Sequence, residues 1–112
     1  MRALSIRQPY VELILRGLKK IEYRSRATKI IGERFFIYAA RKPGDPPGGP
    51  AGFAELHCQP GDLPTGLIVG TAMITHCCRN SGDYEWHLAN VKRLEQPRKP
   101  KRQPQPVWFR PF

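Results

Sequence analysis

Between Gly17 and Arg24 the chain reads GLKKIEYR, and three of these side chains carry chemistry: Lys19, Glu22 and Arg24. An ionised glutamate is an acceptor-only group and can take a hydrogen bond from an exocyclic amine such as that of cytosine. The two cations suit phosphate oxygens, and Arg24 can grip them through a bidentate fork. One splayed nucleotide could therefore be read at its base and its backbone by the same trio. The trio could instead be a salt-bridge cluster on a strand face, worth under about 1 kcal/mol per exposed pair. As catalysts the same groups describe a metal-independent ribonuclease, with Glu22 taking the 2′-OH proton while Lys19 or Arg24 stabilises charge on phosphorus. Tyr10 or Trp86 could stack a base for about 1–3 kcal/mol. Core packing is an equal reading for Tyr10 and the stronger one for Trp86 and Trp108.

The elements that must position these groups follow from periodicity. Residues 2–6 alternate as a short first strand, and a helix of about two turns runs from Pro9 to the stop at Gly17. Tyr10, Leu13, Ile14 and Leu18 form its apolar stripe, widened by Val11 and Leu15. Residues 20–25 return to a period of two, which predicts Ile21 and Tyr23 buried and Lys20, Glu22 and Arg24 on the opposite face. Phe35–Ala40 is apolar without alternation and reads as a strand covered on both faces. Residues 41–66 form a Pro/Gly-rich excursion, with one helical turn expected near Phe53–His57. A strand is expected over Leu67–His76, with Gly70 marking a bulge or close packing. After a turn at Asn80-Ser81-Gly82 comes a segment around Trp86 and Leu88. A basic Pro-rich run from Arg98 to Gln105 precedes a last strand near Val107–Arg110. About five to six strands with one or two short helices in so small a chain predict an α+β compact barrel.

The chain has 112 residues, room for a single domain over 1–112 with one modest core. Its net charge is +10, an electrostatic field that attracts polyanions. Residues 1–42 sum to +8, residues 43–91 to −4 and residues 92–112 to +6, so meeting of the two ends would make one basic face. Arg98, Lys99, Lys101 and Arg102 are the candidate phosphate-binding groups of the tail. No apolar run approaches the roughly 20 residues of a membrane span, and the N-terminus lacks a secretion signal's apolar core, so a cytoplasmic location is expected. Cys58, Cys77 and Cys78 are odd in number with two adjacent, a poor disulfide framework. His57-Cys58 and His76-Cys77-Cys78 invite a zinc reading, but adjacent ligands strain a tetrahedral site. Ordinary thiols are expected, with no metal and no other cofactor.

Several motifs in order resemble the ASCH domains, the activating-signal-cointegrator homology family of PUA-like β-barrels. They are the Ser-x-x-Gln-Pro-aromatic opening (Ser5, Gln8, Pro9, Tyr10), Gly-x-Lys-x-x-Glu-x-Arg (Gly17, Lys19, Glu22, Arg24) and Gly32 before an apolar strand. Gly66 to Gly70, Trp86-x-Leu88-x-Asn90 and Trp108 complete the set. The resemblance implies a barrel with a cleft beside the first helix, the helix lying between strands one and two. It implies that Lys19, Glu22 and Arg24 line the cleft, with Ser5, Gln8, Pro9 and Tyr10 at its edge, and a role in RNA, single-stranded nucleic acid or modified-nucleotide recognition. Ser5 and Gln8 read equally well as strand-end and helix-cap groups. Some members resemble amidohydrolases of N4-acylated cytidine, in which a threonine nucleophile stands at the position of Glu22. A carboxylate cannot take that hydroxyl's role. Arg102-Gln103 and Val91 also depart from the family's Lys-Gly and Pro.

Overall fold

The computed structural model describes residues 1–42, 56–58 and 61–112. Among these, the elements run β1 (Ala3–Ile6), α1 (Tyr10–Leu15), β2 (Ile21–Arg24), β3 (Arg34–Ala39), β4 (Leu67–Asn80), β5 (Asp83–Arg98) and β6 (Trp108–Phe109). They form one sheet in the order β2-β5-β4-β3-β1-β6. β1 and β3 are parallel, with α1 and β2 in the crossover, and the other pairs are antiparallel. Six strands and a short helix after the first agree with the sequence reading, but the closed barrel does not emerge. The four-residue β2 and two-residue β6 are left as edges of the hydrogen-bonded sheet. Most of the excursion, with residues 53–55 of the turn expected at Phe53–His57, lies outside the described residues.

β3 is covered on both faces, as its unbroken apolar run requires. Phe35, Ile37 and Ala39 enter a core with Leu4, Ile6, Val11, Ile14, Val69, Ala72, Ile74 and Trp86. Tyr38 turns the other way, to Ala3, Ile68 and Phe109, with Phe36, Leu94 and Phe112 packed alongside. Edge-to-face ring pairs tie this second layer together: Tyr38 with Phe109 at 5.5 Å and Phe36 with Phe112 at 5.7 Å.

Helix α1 is shorter than expected. Pro9 is its cap rather than its first residue, and the helix stops at Leu15. Gly17 then takes φ +78°, a conformation in which glycine carries no Cβ penalty. The buried face is therefore Val11, Leu13 and Ile14 together with Glu12, while Leu18 lies beyond the helix and is exposed. Gly70 lets the helix sit close to the sheet. A Cβ there would stand 2.7 Å from both Leu15 Cδ2 and the Lys92 carbonyl oxygen, beside a register shift between Ile68 and Gly70.

β4 and β5 run longer than their apolar segments predict, as a hairpin through Ser81 and Gly82, both at positive φ. Such left-handed two-residue turns match the twist of the flanking strands. Pairing of β1 with β6 makes the two basic ends of the chain neighbours.

Candidate functional site

β2 faces the opposite way from its hydrophobic alternation. Glu22 is buried and Arg24 half-buried, whereas Tyr23 is 54% exposed. The inward side of this strand is polar because its charges satisfy one another and the neighbouring backbone. Arg24 Nε donates to Glu22 Oε2 at 2.8 Å, and Arg24 Nη2 donates to Ser5 O at 2.8 Å. Lys19 Nζ lies 3.8 Å from Glu22 Oε1. Across the pair β2–β5, Glu22 is in register with Trp86, whose ring lies 5.6 Å from the Arg24 guanidinium carbon.

Lys19 is held between two aromatic rings, its Nζ 5.3 Å from the Tyr10 centroid and 5.1 Å from that of Tyr23. Burial lowers its pKa from the ordinary lysine value and the adjacent Arg24 adds to this, against the raising effect of Glu22. The result is a cleft of about 410 Å³ lined by Ser5, Ile6, Tyr10, Lys19, Glu22, Tyr23 and Arg24, together with Arg7. It is a small, cation-rich recess with an aromatic ring on either side of its lysine.

Arg24 and Ser5 also belong to the next recess, whose other wall is Pro104 to Val107. Arg24, Pro106 and Val107 continue into a third, of about 620 Å³, with Ser25, Arg26, Ala27, Trp86 and Trp108. A groove thus follows the gap between edge strand β2 and the β1/β6 side, with Arg24 at its centre. Trp86 is nearly fully buried, its indole N–H donating to Arg26 O at 2.9 Å and its ring stacked on Trp108 at 5.9 Å.

The other candidates fall in three places. Ser5 and Tyr10 line the cleft. Gln8 is buried and does not: its Oε1 accepts from the Glu12 N–H at 3.1 Å, closing the first helical turn, and its Nε2 donates to Pro64 O at 2.9 Å. Pro9 is buried beside it. Arg98, Lys99, Lys101 and Arg102 do not line this cleft. Arg98 lies 4.0 Å over the Phe112 ring, and the backbone N–H groups of Lys101 and Arg102 both donate to Pro111 O.

Glu12 escaped the sequence reading. Its carboxylate accepts two bonds from Arg93, at 2.9 and 2.8 Å, and one from Arg16 at 2.7 Å. Burial pushes its pKa up, but the arginine hydrogen bonds outweigh this and hold it below the ordinary value, while Arg93 is raised in return. An acid inside the apolar run VELIL with arginine four residues on was the available signal. The clamp fastens α1 to β5, the partner of β2.

The family model of the ASCH domain matches residues 4–100. The chain belongs to the ASCH family. The match takes in the cleft trio, Glu12, Arg93 and Trp86 of this ASCH domain, and stops short of Val107 and Trp108. The ASCH family is associated with RNA binding. A search of curated proteins gave no significant match. Among the described residues, no helix is long and apolar enough to cross a membrane.

Proposed function

We propose that this ASCH domain binds RNA or another single-stranded nucleic acid, seating one unstacked nucleotide in the cleft beside α1. The reading is carried by Lys19, Glu22 and Arg24 lining one recess between the rings of Tyr10 and Tyr23. Glu22 Oε1 takes the base's exocyclic amine, Lys19 and Arg24 take phosphate oxygens, and a tyrosine ring supplies a stacking surface. A recess of this size suits a splayed nucleotide of a single strand rather than a duplex. The groove beyond Arg24 gives the strand a path past Trp108. Arg98, Lys99, Lys101 and Arg102 add phosphate attraction that is blind to sequence.

The test is competition among short homopolymeric RNAs. Glu22→Gln is expected to change the ranking of the bases. Joint Lys99→Ala and Lys101→Ala changes are expected to weaken all sequences alike and to lower the salt slope by about one unit for each phosphate no longer neutralised. Equal losses on every sequence for both variants contradict base reading by Glu22.

One observation favours ribonuclease activity as a second reading: Lys19 Nζ lies 3.8 Å from Glu22 Oε1 in the recess, a cation beside a carboxylate that could take a proton. Cleavage of labelled RNA in excess EDTA by the parent, and not by Lys19→Ala/Glu22→Ala, is the expected result under that reading. Hydrolysis of an N4-modified cytidine has weaker support, because position 22 offers no hydroxyl nucleophile.

A further inference from the structure

The β4–β5 hairpin carries a second cluster of reactive side chains that the proposed RNA cleft does not use. In the ladder His76 is opposite His87, Cys77 opposite Trp86 and Cys78 opposite Glu85. Side chains alternate across a strand, so His76, Cys78, Glu85 and His87 share one face while Cys77 and Trp86 turn to the core. Two residues from each of two adjacent strands converge there. The imidazoles of His76 and His87 stack at 3.9 Å, and the donor atoms of His76, Cys78 and His87 all lie within 4.8 Å of one another.

We propose that this face is a zinc site, with Cys78 Sγ, His87 Nε2, Glu85 Oε1 and a His76 ring nitrogen as its four ligands. The spacing of three of them carries the assignment. Cys78 Sγ lies 3.6 Å from His87 Nε2 and 3.6 Å from Glu85 Oε1, and His87 Nε2 lies 3.1 Å from Glu85 Oε1. Bond lengths of about 2.0–2.1 Å to nitrogen and oxygen and about 2.3 Å to sulfur make a tetrahedron with edges of about 3.3 Å for N–O and about 3.6 Å for N–S and O–S. The triangle in the protein is close to one face of that tetrahedron, and His76, whose donor atom lies within 4.8 Å of those of Cys78 and His87, supplies the fourth ligand.

The mixed imidazole, thiolate and carboxylate set suits zinc better than calcium or magnesium, which take oxygen ligands. Groups behind the ligands already hold them. Asn80 Nδ2 donates to Glu85 Oε2 at 2.7 Å, and Thr75 Oγ1 lies 3.2 Å from His76 Nδ1. As the Zn–S bond forms, the Cys78 proton leaves to solvent and no electron is transferred. The adjacency that argued against zinc in the sequence concerned chain neighbours as joint ligands, in His57-Cys58 and in His76-Cys77-Cys78. In the fold Cys77 faces inward, and the partners of Cys78 come from the neighbouring strand.

The experiment is titration of the metal-free, untagged full chain with Zn²⁺ against a chromophoric chelator, and with Co²⁺ as an optical probe. The parent is expected to take one equivalent of zinc and to give intense tetrahedral cobalt bands with a sulfur-to-cobalt transition. Cys78→Ser is expected to abolish that transition and weaken zinc by at least about tenfold, as is the joint change His76→Ala/His87→Ala. Cys58→Ser is the control expected to bind as the parent does. Because the exposed hairpin variants could still perturb the sheet, near-UV circular dichroism of the metal-free proteins must match that of the parent. Absence of stoichiometric zinc binding by the parent overturns the proposal. So does binding that survives both hairpin variants, or that is lost in Cys58→Ser.

Discussion

Arg24 bridges the open side of the sheet: its Nη2 donates to Ser5 O at 2.8 Å, linking β2 at one edge to β1 beside the other. Backbone hydrogen bonds leave that side unclosed, and a single guanidinium spans it while also bonding Glu22. The space beneath the bridge is the cleft, so one residue is both its wall and its charge. Arg24→Lys keeps the charge but cannot hold two partners through a planar fork. It is expected to cost about 1–3 kcal/mol in urea unfolding, the scale of hydrogen bonds to a charged group.

The clamp on Glu12 has a pH signature. Its folded pKa lies below the ordinary 4.5, so the stability it contributes is complete above that value and is lost as the pH falls through the folded value. Breaking a fully buried pair costs about 3–5 kcal/mol, and exposure of half of the Arg93 side chain trims the expected loss for Glu12→Gln to about 1–3 kcal/mol. Unfolding curves from neutral to acidic pH should show the parent converging on the variant at the acid end.

Lys19 behaves in the opposite sense. Its folded pKa lies below the ordinary 10.5, so holding it charged opposes folding at neutral pH. Between the folded and unfolded values the unfolded chain binds more protons, and the stability of the parent rises with pH there. Lys19→Met is expected to be more stable than the parent at neutral pH, by about 1 kcal/mol or less, with the gap closing as the pH climbs toward 10.5. A cation kept at a cost in stability is what a binding role predicts.

Gly70 tests how closely α1 must sit on the sheet. The methyl of Gly70→Ala would meet the Lys92 carbonyl, which is backbone and cannot swing aside. The expected loss is about 1–3 kcal/mol in denaturant unfolding, as for overpacking elsewhere.

Much of this arrangement was legible in the sequence. The apolar run of β3, the glycine at position 70 and the Asn80-Ser81-Gly82 turn each state a local demand that the fold meets. β2 was misread because a period of two shows which residues share a face but not which face is inward. Hydrophobicity supplies that choice only where the inward face is apolar, and here it holds a salt-bridged cleft, which sends Tyr23 outward. Leu18 was misplaced for a related reason: helical spacing continues on paper past Gly17, where the backbone leaves the helix. The Glu12–Arg93 clamp joins positions 81 residues apart, a pairing that spacing cannot reveal. Strand count does not dictate closure: β2 and β6 are only four and two residues long, and in place of a ladder between them Arg24 reaches from β2 to Ser5 of β1.

The recess around Lys19 is the proposed seat of single-stranded nucleic acid. Its most direct test is fluorescence anisotropy of a labelled single-stranded RNA, in EDTA and at fixed salt, with the parent and with Lys19→Met/Tyr23→Ser. The exposed Tyr23 makes its replacement nearly neutral for folding, within about 0.5 kcal/mol, so thermal melting of the variant should stay close to that of the parent or above it. The expected result is saturable binding by the parent and at least about tenfold weaker binding by the folded variant, which has one stacking surface and one phosphate-binding cation fewer. Equal affinity of the two proteins, or no binding by the parent, would contradict the claim.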